Sequence, residues 1–547
     1  GVDPARTAQM RSAGLWGDAS LLDFWRLAAR AAPDKEAVKD SRGTSLTYRQ
    51  VDERAARLAT YLRGSGVAPG DVVSIQLPSW AEFLCLDIAC LMIGAVVNPV
   101  LTSHRRAELS QILERCGTSV LVVPTHFRST TYAPMAAALA AERPGLTVLA
   151  VEHDGVAAEG LDSLHDVLAT TAPLRDEHVT PGRSADPAVV LFTSGSEARA
   201  KGVLLSHDNV IASERAFAAE LGIAFDDRVF MPAPLAHATG YLHGMTLPFM
   251  VGATSVLLDV PRGDAALAMI NAERCTCGMA AASVVTCLLD ASDREAEPLS
   301  PTLRFLACGG SPVPRQLARR ARDHGVRLHS VYGSTESAPH TLTTADDPDE
   351  RVLTTDGRPV RGTEVKVVDP VTRVEVAPGV EGEEASRGPA VFLGYLGDPE
   401  LTAQVLDADG WYYSGDLCTR DADGYIRITG RKKDMIIRGG ENISAVEVEG
   451  VVRDHPGVVD VAVVAMPNAR LGECACAYVV LEPGAEPPTL ASLRELFGTR
   501  GLAKYKIPEW VEVIDALPMT PTGKVRKVEL RERIAAQIRS VQAAPTR

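Results

Sequence analysis

LFTSGSEARAKGVLLSH (Leu191–His207) is the stretch from which the fold is read. An apolar run, AVVLFT, stops at a loop rich in hydroxyls and glycine, Thr193-Ser194-Gly195-Ser196, and a single lysine, Lys201, precedes the next apolar run. Such a loop brings backbone N–H groups, hydroxyls and one cation into a small volume, which suits an anion with several oxygens. The nucleotide-triphosphatase order, Gly-Lys-Ser/Thr after four residues, is absent, because Ala200 precedes Lys201 and Gly202 follows it. Taken alone, the stretch reads more readily as a surface turn.

Outward from this loop, β-branched runs (VVSIQL, AVVNPV, SVLVVP, LTVLAV, RVFMPAP, ATSVLLDV) alternate with alanine-rich amphipathic stretches such as YRQVDERAARLATYLRGSG. That alternation predicts a large α/β N-terminal domain with mainly parallel sheets. Past residue 350 the texture changes to short strands with turn signals, EVKVVDP to DGYIRITGRKKD, and predicts a small β-rich subdomain over about 350–430. The order helix, strand, strand, helix, strand, helix then predicts a separate small α+β C-terminal domain. The expected boundaries are 1–432 and 433–547.

Composition narrows the function. The 70 acidic residues exceed the 56 basic ones, for a formal net charge of −14, which disfavours a nucleic-acid partner. The ten cysteines include only C-x-C pairs, Cys275/Cys277 and Cys474/Cys476, inside apolar runs, so reduced buried thiols are expected rather than disulfides or metal ligands. GVDPARTAQM lacks the basic-then-apolar order of a secretory signal, and a cytoplasmic location is expected. FLCLDIACLMIGAVVNPV (Phe83–Val100) is the best membrane candidate, but Asp87 interrupts it and Gly94 and Asn98-Pro99 divide it into a helix and a strand.

Three further stretches carry chemistry. SVYGSTESAP (Ser330–Pro339) places Tyr332, Gly333, Thr335 and Glu336 together: an aromatic face for a base, a hydroxyl for a phosphate and a carboxylate for a hard cation such as Mg²⁺. WYYSGDLCTRDADGYIRITGRKKDMIIRGGENIS (Trp411–Ser444) offers Asp416, whose carboxylate suits the two hydroxyls of a ribose, and Arg431 for the same sugar or a phosphate. LPMTPTGKVRK (Leu517–Lys527) sets Lys524 on a Pro/Thr/Gly turn. Each has a bland alternative as a polar turn, a hairpin or a solvated lysine.

Together, in this order, the four stretches resemble the acyl-adenylate-forming superfamily of acyl-CoA synthetases, adenylation domains and luciferase, over about Leu22 to Lys527. The family pattern Thr-Ser-Gly-Thr-Thr-Gly-x-Pro-Lys-Gly is kept at Thr193, Ser194, Gly195, Lys201 and Gly202 and changed at Ser196, Glu197, Ala198 and Ala200. The acidic loop, with PLAHATGYLHG (Pro234–Gly244), looks most like the branch activating cyclohexane-carboxylate-type acids.

The resemblance implies ATP-dependent conversion of a carboxylic acid to an acyl-adenylate, then transfer to the thiol of coenzyme A with release of AMP and pyrophosphate. It implies Lys524, Glu336 (through Mg²⁺) and His237 as catalytic. For ATP and AMP it implies Thr193, Ser194, Gly195, Ser196, Lys201, Gly310, Ser311, Tyr332, Gly333, Thr335, Asp416 and Arg431. Lys433 falls at the family's hinge, about which the small domain turns. Gly439, Gly440 and Glu441 fall at the pantetheine tunnel. His237, Thr239, Gly240, Ala281, Ala282, Cys308 and Gly309 fall at the acyl pocket, where small residues leave room for a bulky alicyclic, polycyclic or aryl acid. Amino-acid-activating relatives carry an aspartate near Leu235, and PAPLAHATG has none. A carrier-protein phosphopantetheine as acceptor, a homologue without catalysis, and a homodimer all stay open.

Overall fold

The computed structural model describes residues 4–158, 160–193, 200–310, 313–439, 441–468, 470–500, 502–520 and 524–543. The chain divides into two compact units: Gly1–Glu364 with Ser386–Tyr412, and Val365–Ala385 with Tyr413–Arg547.

The first unit is built on two sheets. In the larger, nine strands run in the order Arg358–Pro359, Ala338–Leu342, Arg327–Ser334, Phe305–Gly309, Cys277–Ala280, Arg228–Met231, Thr254–Leu257, Glu36–Asp40 and Ser45–Thr47. Its interior pairings are parallel, and antiparallel hairpins close both edges. The second sheet has eight strands in the order Gly394–Tyr395, Lys201–Ser206, Pro187–Thr193, Val96–Pro99, Val72–Ile75, Val120–Pro124, Thr147–Val151 and Asp162–Ser163. Central strands such as Val120–Pro124 and Thr254–Leu257 are buried at every residue, as parallel strands covered by helices on both faces must be.

The apolar stretch Phe83–Val100 resolves as the break-residues require. Helix Ala81–Ile93 is buried at every residue except Glu82 and ends at Gly94, whose φ of 68° is the left-handed cap that glycine adopts without strain. Strand Val96–Pro99 follows at once. No described helix is long and apolar enough to cross a membrane. All ten thiols are free, and eight are buried.

The second unit holds a four-stranded sheet, Glu364–Val368, Gly382–Arg387, Tyr412–Arg420 and Ile426–Arg431, and a five-stranded sheet. In the latter, the long hairpin Val458–Asn468/Gly472–Leu481 is flanked by Ile436–Arg438, Glu441–Ile443 and Trp510–Val513, with helices Ala445–Arg453, Leu490–Thr499 and Lys527–Ala543 alongside. The α/β unit followed by a smaller α+β segment is the expected fold class.

Candidate active site

Three parallel strands bring the expected adenine and acyl residues to one edge. Register pairs Ala280 with Cys308 and Gly309 with Val331, so Ala281-Ala282, Cys308-Gly309-Gly310 and Tyr332-Gly333 leave the sheet side by side. In open α/β sheets this carboxyl edge is where ligands bind. Gly309 is demanded by packing, since a Cβ there would lie 2.7 Å from the Val331 carbonyl oxygen. Gly333 sits at a bulge, and its Cβ would lie 2.2 Å from the Ala338 oxygen. The Tyr332 ring meets His340 edge-on, with centroids 5.0 Å apart. Burial pushes the Cys308 thiol up to about 12, and the side chain, with no exposed surface, belongs to the core rather than lining the acyl pocket expected from sequence, because the strand turns it to the covered face of the sheet.

The arms of the opening loop form an antiparallel hairpin in which Thr193 lies directly opposite Lys201. Ser194, Gly195 and Ser196, with Glu197 and Ala198, lie outside the described residues, as do Ser311 and Gly440. Arg115 donates to the carbonyl oxygens of Ala200 at 2.5 Å and of Leu396 at 3.2 Å, holding the base of the hairpin. Strand Gly394–Tyr395 adds to the outer arm, pairing Tyr395 with Val203. The Tyr395 hydroxyl donates to Glu336 Oε1 at 2.8 Å, and the Lys201 ammonium lies 5.5 Å from the Tyr395 ring centre. Lys201 and Glu336 are therefore brought together about one phenol. Sequence reading missed Tyr395 and Arg115: GPAVFLGY reads only as a strand, and Arg115 as one more charge on an amphipathic helix.

Glu336 is half-buried, and its Oε2 has no partner among the described residues. Among those residues no group of three or more His, Cys, Asp or Glu side chains converges to hold a metal unaided. One available carboxylate oxygen fits a Mg²⁺ that arrives already bound to phosphates and takes few protein ligands.

His237 is half-buried, and its Nδ1 accepts the Thr239 backbone N–H at 3.2 Å, which leaves the ring proton on Nε2. A π-helical turn, Gly240–Thr246, follows. Gly240 begins it because a Cβ would lie 2.1 Å from the Pro234 oxygen. Two buried carboxylates brace the turn: Tyr241 donates to Asp87 Oδ1 at 2.9 Å, and His243 Nδ1 meets Glu214 Oε2 at 2.8 Å while stacking on Phe217.

In the second unit, Asp416 and Arg431 face each other across neighbouring strands and form an ion pair of 2.9 Å. The carboxylate is mostly buried and the guanidinium half-exposed, so the pair can present both groups to a polar ligand. Lys432 is held by the Pro370 carbonyl at 2.7 Å and by Glu383 at 3.2 Å. Lys433 follows, exposed, in the short turn Lys432–Asp434, and Arg531 binds Asp434 at 2.8 Å. Gly439, at φ 58°, donates its N–H to Leu471, and Glu441 is exposed. The Lys524 backbone closes a turn with Thr520, donating to its hydroxyl at 3.0 Å and accepting from its N–H at 2.7 Å.

Comparison with known proteins agrees with this architecture. Residues 25–396 match the AMP-binding enzyme family, and residues 447–524 match the AMP-binding enzyme C-terminal domain. The medium-chain fatty-acid–CoA ligase of Escherichia coli (strain K12) is 47% identical over 534 residues, covering 97% of this chain and 94% of that protein. A feruloyl-CoA synthase of an Amycolatopsis species is 38% identical over 510 residues, covering 92% of this chain and 97% of its own. ATP-bound MatB from Rhodopseudomonas palustris superposes with a TM-score of 0.84 at 29% identity, over 94% of this chain and 99% of that one. The chain belongs to the acyl-adenylate-forming superfamily of AMP-binding enzymes, in its AMP-forming acyl-CoA synthetase class.

Proposed function

We propose that this enzyme activates a medium-sized apolar carboxylic acid, aliphatic or alicyclic, with ATP and passes the acyl group to coenzyme A. The observation that carries the substrate class is the half-buried edge at Ala281, Ala282 and Gly309, where each side chain is a methyl group or absent. A pocket lined this way rewards buried hydrocarbon and gives nothing to an ammonium group. The name of one relative, a medium-chain fatty-acid–CoA ligase, supports an apolar acid of this size.

The chemical difficulty of the first step is that a carboxylate must approach a triphosphate. Lys201 contributes a positive charge at the phosphates, and Lys524 another at the α-phosphate during adenylation. Glu336 would hold Mg²⁺, which neutralises phosphate charge when bound. Thr193 and Thr335 donate hydroxyl hydrogen bonds to phosphate oxygens. Tyr332 stacks on adenine, and Asp416 with Arg431 takes the ribose. His237 separates the acyl pocket from the route of the thiol. Lys433 serves as the pivot after which Gly439, Gly440 and Glu441 line that route.

The test is acid-dependent pyrophosphate exchange across straight-chain acids of graded length, cyclohexanecarboxylate, a fused-ring acid, an aryl acid and an amino acid, with AMP release followed with and without CoA. The highest kcat/KM is expected for a medium-chain or alicyclic acid, with CoA stimulating AMP release. Preference for an amino acid, or CoA-independent turnover with every acid, refutes the reading.

A further inference from the structure

Tyr395 stands between two groups of opposite charge that the proposed function sends to the same triphosphate. Its segment grips Glu336 twice: Phe392 donates its N–H to the Glu336 carbonyl at 2.8 Å, and the Tyr395 hydroxyl donates to the carboxylate at 2.8 Å. The same segment is bonded to the strand that begins at Lys201, through Leu393 N–H to Leu204 at 2.9 Å and Leu396 N–H to Gly202 at 2.7 Å. The ring itself is buried, packed against Phe392 at 5.0 Å between centroids. Its backbone N–H is tied to the Thr402 hydroxyl at 2.9 Å. A side chain so fixed has one place to put its hydroxyl.

We propose that Tyr395 is a positioning residue of the triphosphate site: its O–H fixes Glu336 through Oε1, leaving Oε2 for the Mg²⁺ that accompanies ATP, and its ring seats the ammonium of Lys201. The inference rests on the reading of Glu336 as the metal-binding carboxylate. The phenol has one O–H to donate, and the geometry directs it to Oε1. A donor on Oε1 restricts the carboxylate's rotation, which otherwise has to be frozen when the cation binds. The ring face, at 5.5 Å from the lysine nitrogen, gives that cation a partner on the same side chain that binds the carboxylate.

The experiment is calorimetric binding of an α,β-methylene ATP analogue, with and without Mg²⁺, to the full-length wild type, Tyr395→Phe and Glu336→Gln. Tyr395→Phe keeps the ring and its packing and removes only the hydroxyl. It is expected to lose about tenfold of the Mg²⁺-dependent gain in affinity, on the scale of one hydrogen bond to a charged group, with metal-free affinity unchanged. Glu336→Gln is expected to lose that gain as well. If Glu336→Gln weakens the Mg²⁺-dependent gain and Tyr395→Phe leaves it intact, the role of Tyr395 is overturned while the metal reading stands. An equal fall of metal-free and Mg²⁺-dependent affinity in Tyr395→Phe also overturns it, because the residue then only supports the fold. If Glu336→Gln binds as wild type does, the metal reading fails, and this inference with it.

Discussion

Replacing Asp87 with asparagine tests whether the carboxylate buried beneath the π-helical turn is held against its charge. Asp87 has no exposed surface, and burial raises its carboxyl from 3.8 to about 7, against which the Tyr241 hydrogen bond works only in part. The folded-state value therefore lies above the unfolded one. The proton stabilises the fold fully at pH below about 4, and its contribution declines as pH rises and is gone above about 7. At about 1.4 kcal/mol per pH unit, a shift of about three units amounts to about 4 kcal/mol in all, of which about 2–3 kcal/mol falls between about pH 5 and about pH 8. Asparagine keeps the shape and the oxygen that Tyr241 donates to, and does not titrate. Wild type and Asp87→Asn, unfolded by urea across this range, should therefore diverge, with the variant gaining about 2–3 kcal/mol on the wild type toward the alkaline end. Parallel stability curves for the two proteins would refute the reasoning, since all other titrating groups are common to both.

Other perturbations separate site from scaffold. Lys524→Ala should slow acyl-adenylate formation by about a hundredfold or more, as loss of one preorganised electrostatic donor does, while sparing thioester formation from preformed acyl-adenylate; pyrophosphate exchange and single-turnover transfer to CoA measure the two steps. Glu214→Ala strips the buried His243 of its carboxylate partner and should lower stability by about 3 kcal/mol, read as a fall in thermal midpoint. Gly333→Ala drives a Cβ to 2.2 Å from the Ala338 oxygen, and AMP affinity should fall by about tenfold or more as the bulge beside Tyr332 deforms.

Periodicity and punctuation residues made the elements readable. Gly94 and Pro99 mark where a buried helix stops and a buried strand ends, and the strand before Thr193 is legible because a β-branched run meets a glycine loop. Strand order was not legible. Glu36–Asp40 lies beside Thr254–Leu257 across a crossover that local pattern does not encode. Polar partnerships escaped for the same reason: Tyr395 and Glu336 are 59 residues apart, and Tyr241 and Asp87 are 154 apart. A sequence pattern reports that Asp87 lies on an apolar face; only the packed structure names what answers its charge. The π-helical turn was hidden as well, because PLAHATGYLHG shows small residues without showing that Tyr241 and His243 both point to buried acids. Asp416 and Arg431 were each singled out from sequence as candidates for a ribose, but their direct pairing follows from strand register.

That pairing has a mechanical consequence. Arg431 is anchored to Asp416, and Lys432 is anchored to Glu383 and the Pro370 carbonyl, so two successive residues are pinned to the β-rich sheet by three separate attachments. Torsion applied from the C-terminal side cannot be absorbed by gradual unwinding upstream, because each further residue released would break an ion pair or a charged hydrogen bond. With Lys433 as the pivot proposed above, the twist would be delivered to its peptide units: the sheet would be the fixed arm, and the angle would be set by a few dihedrals rather than spread along a flexible cord.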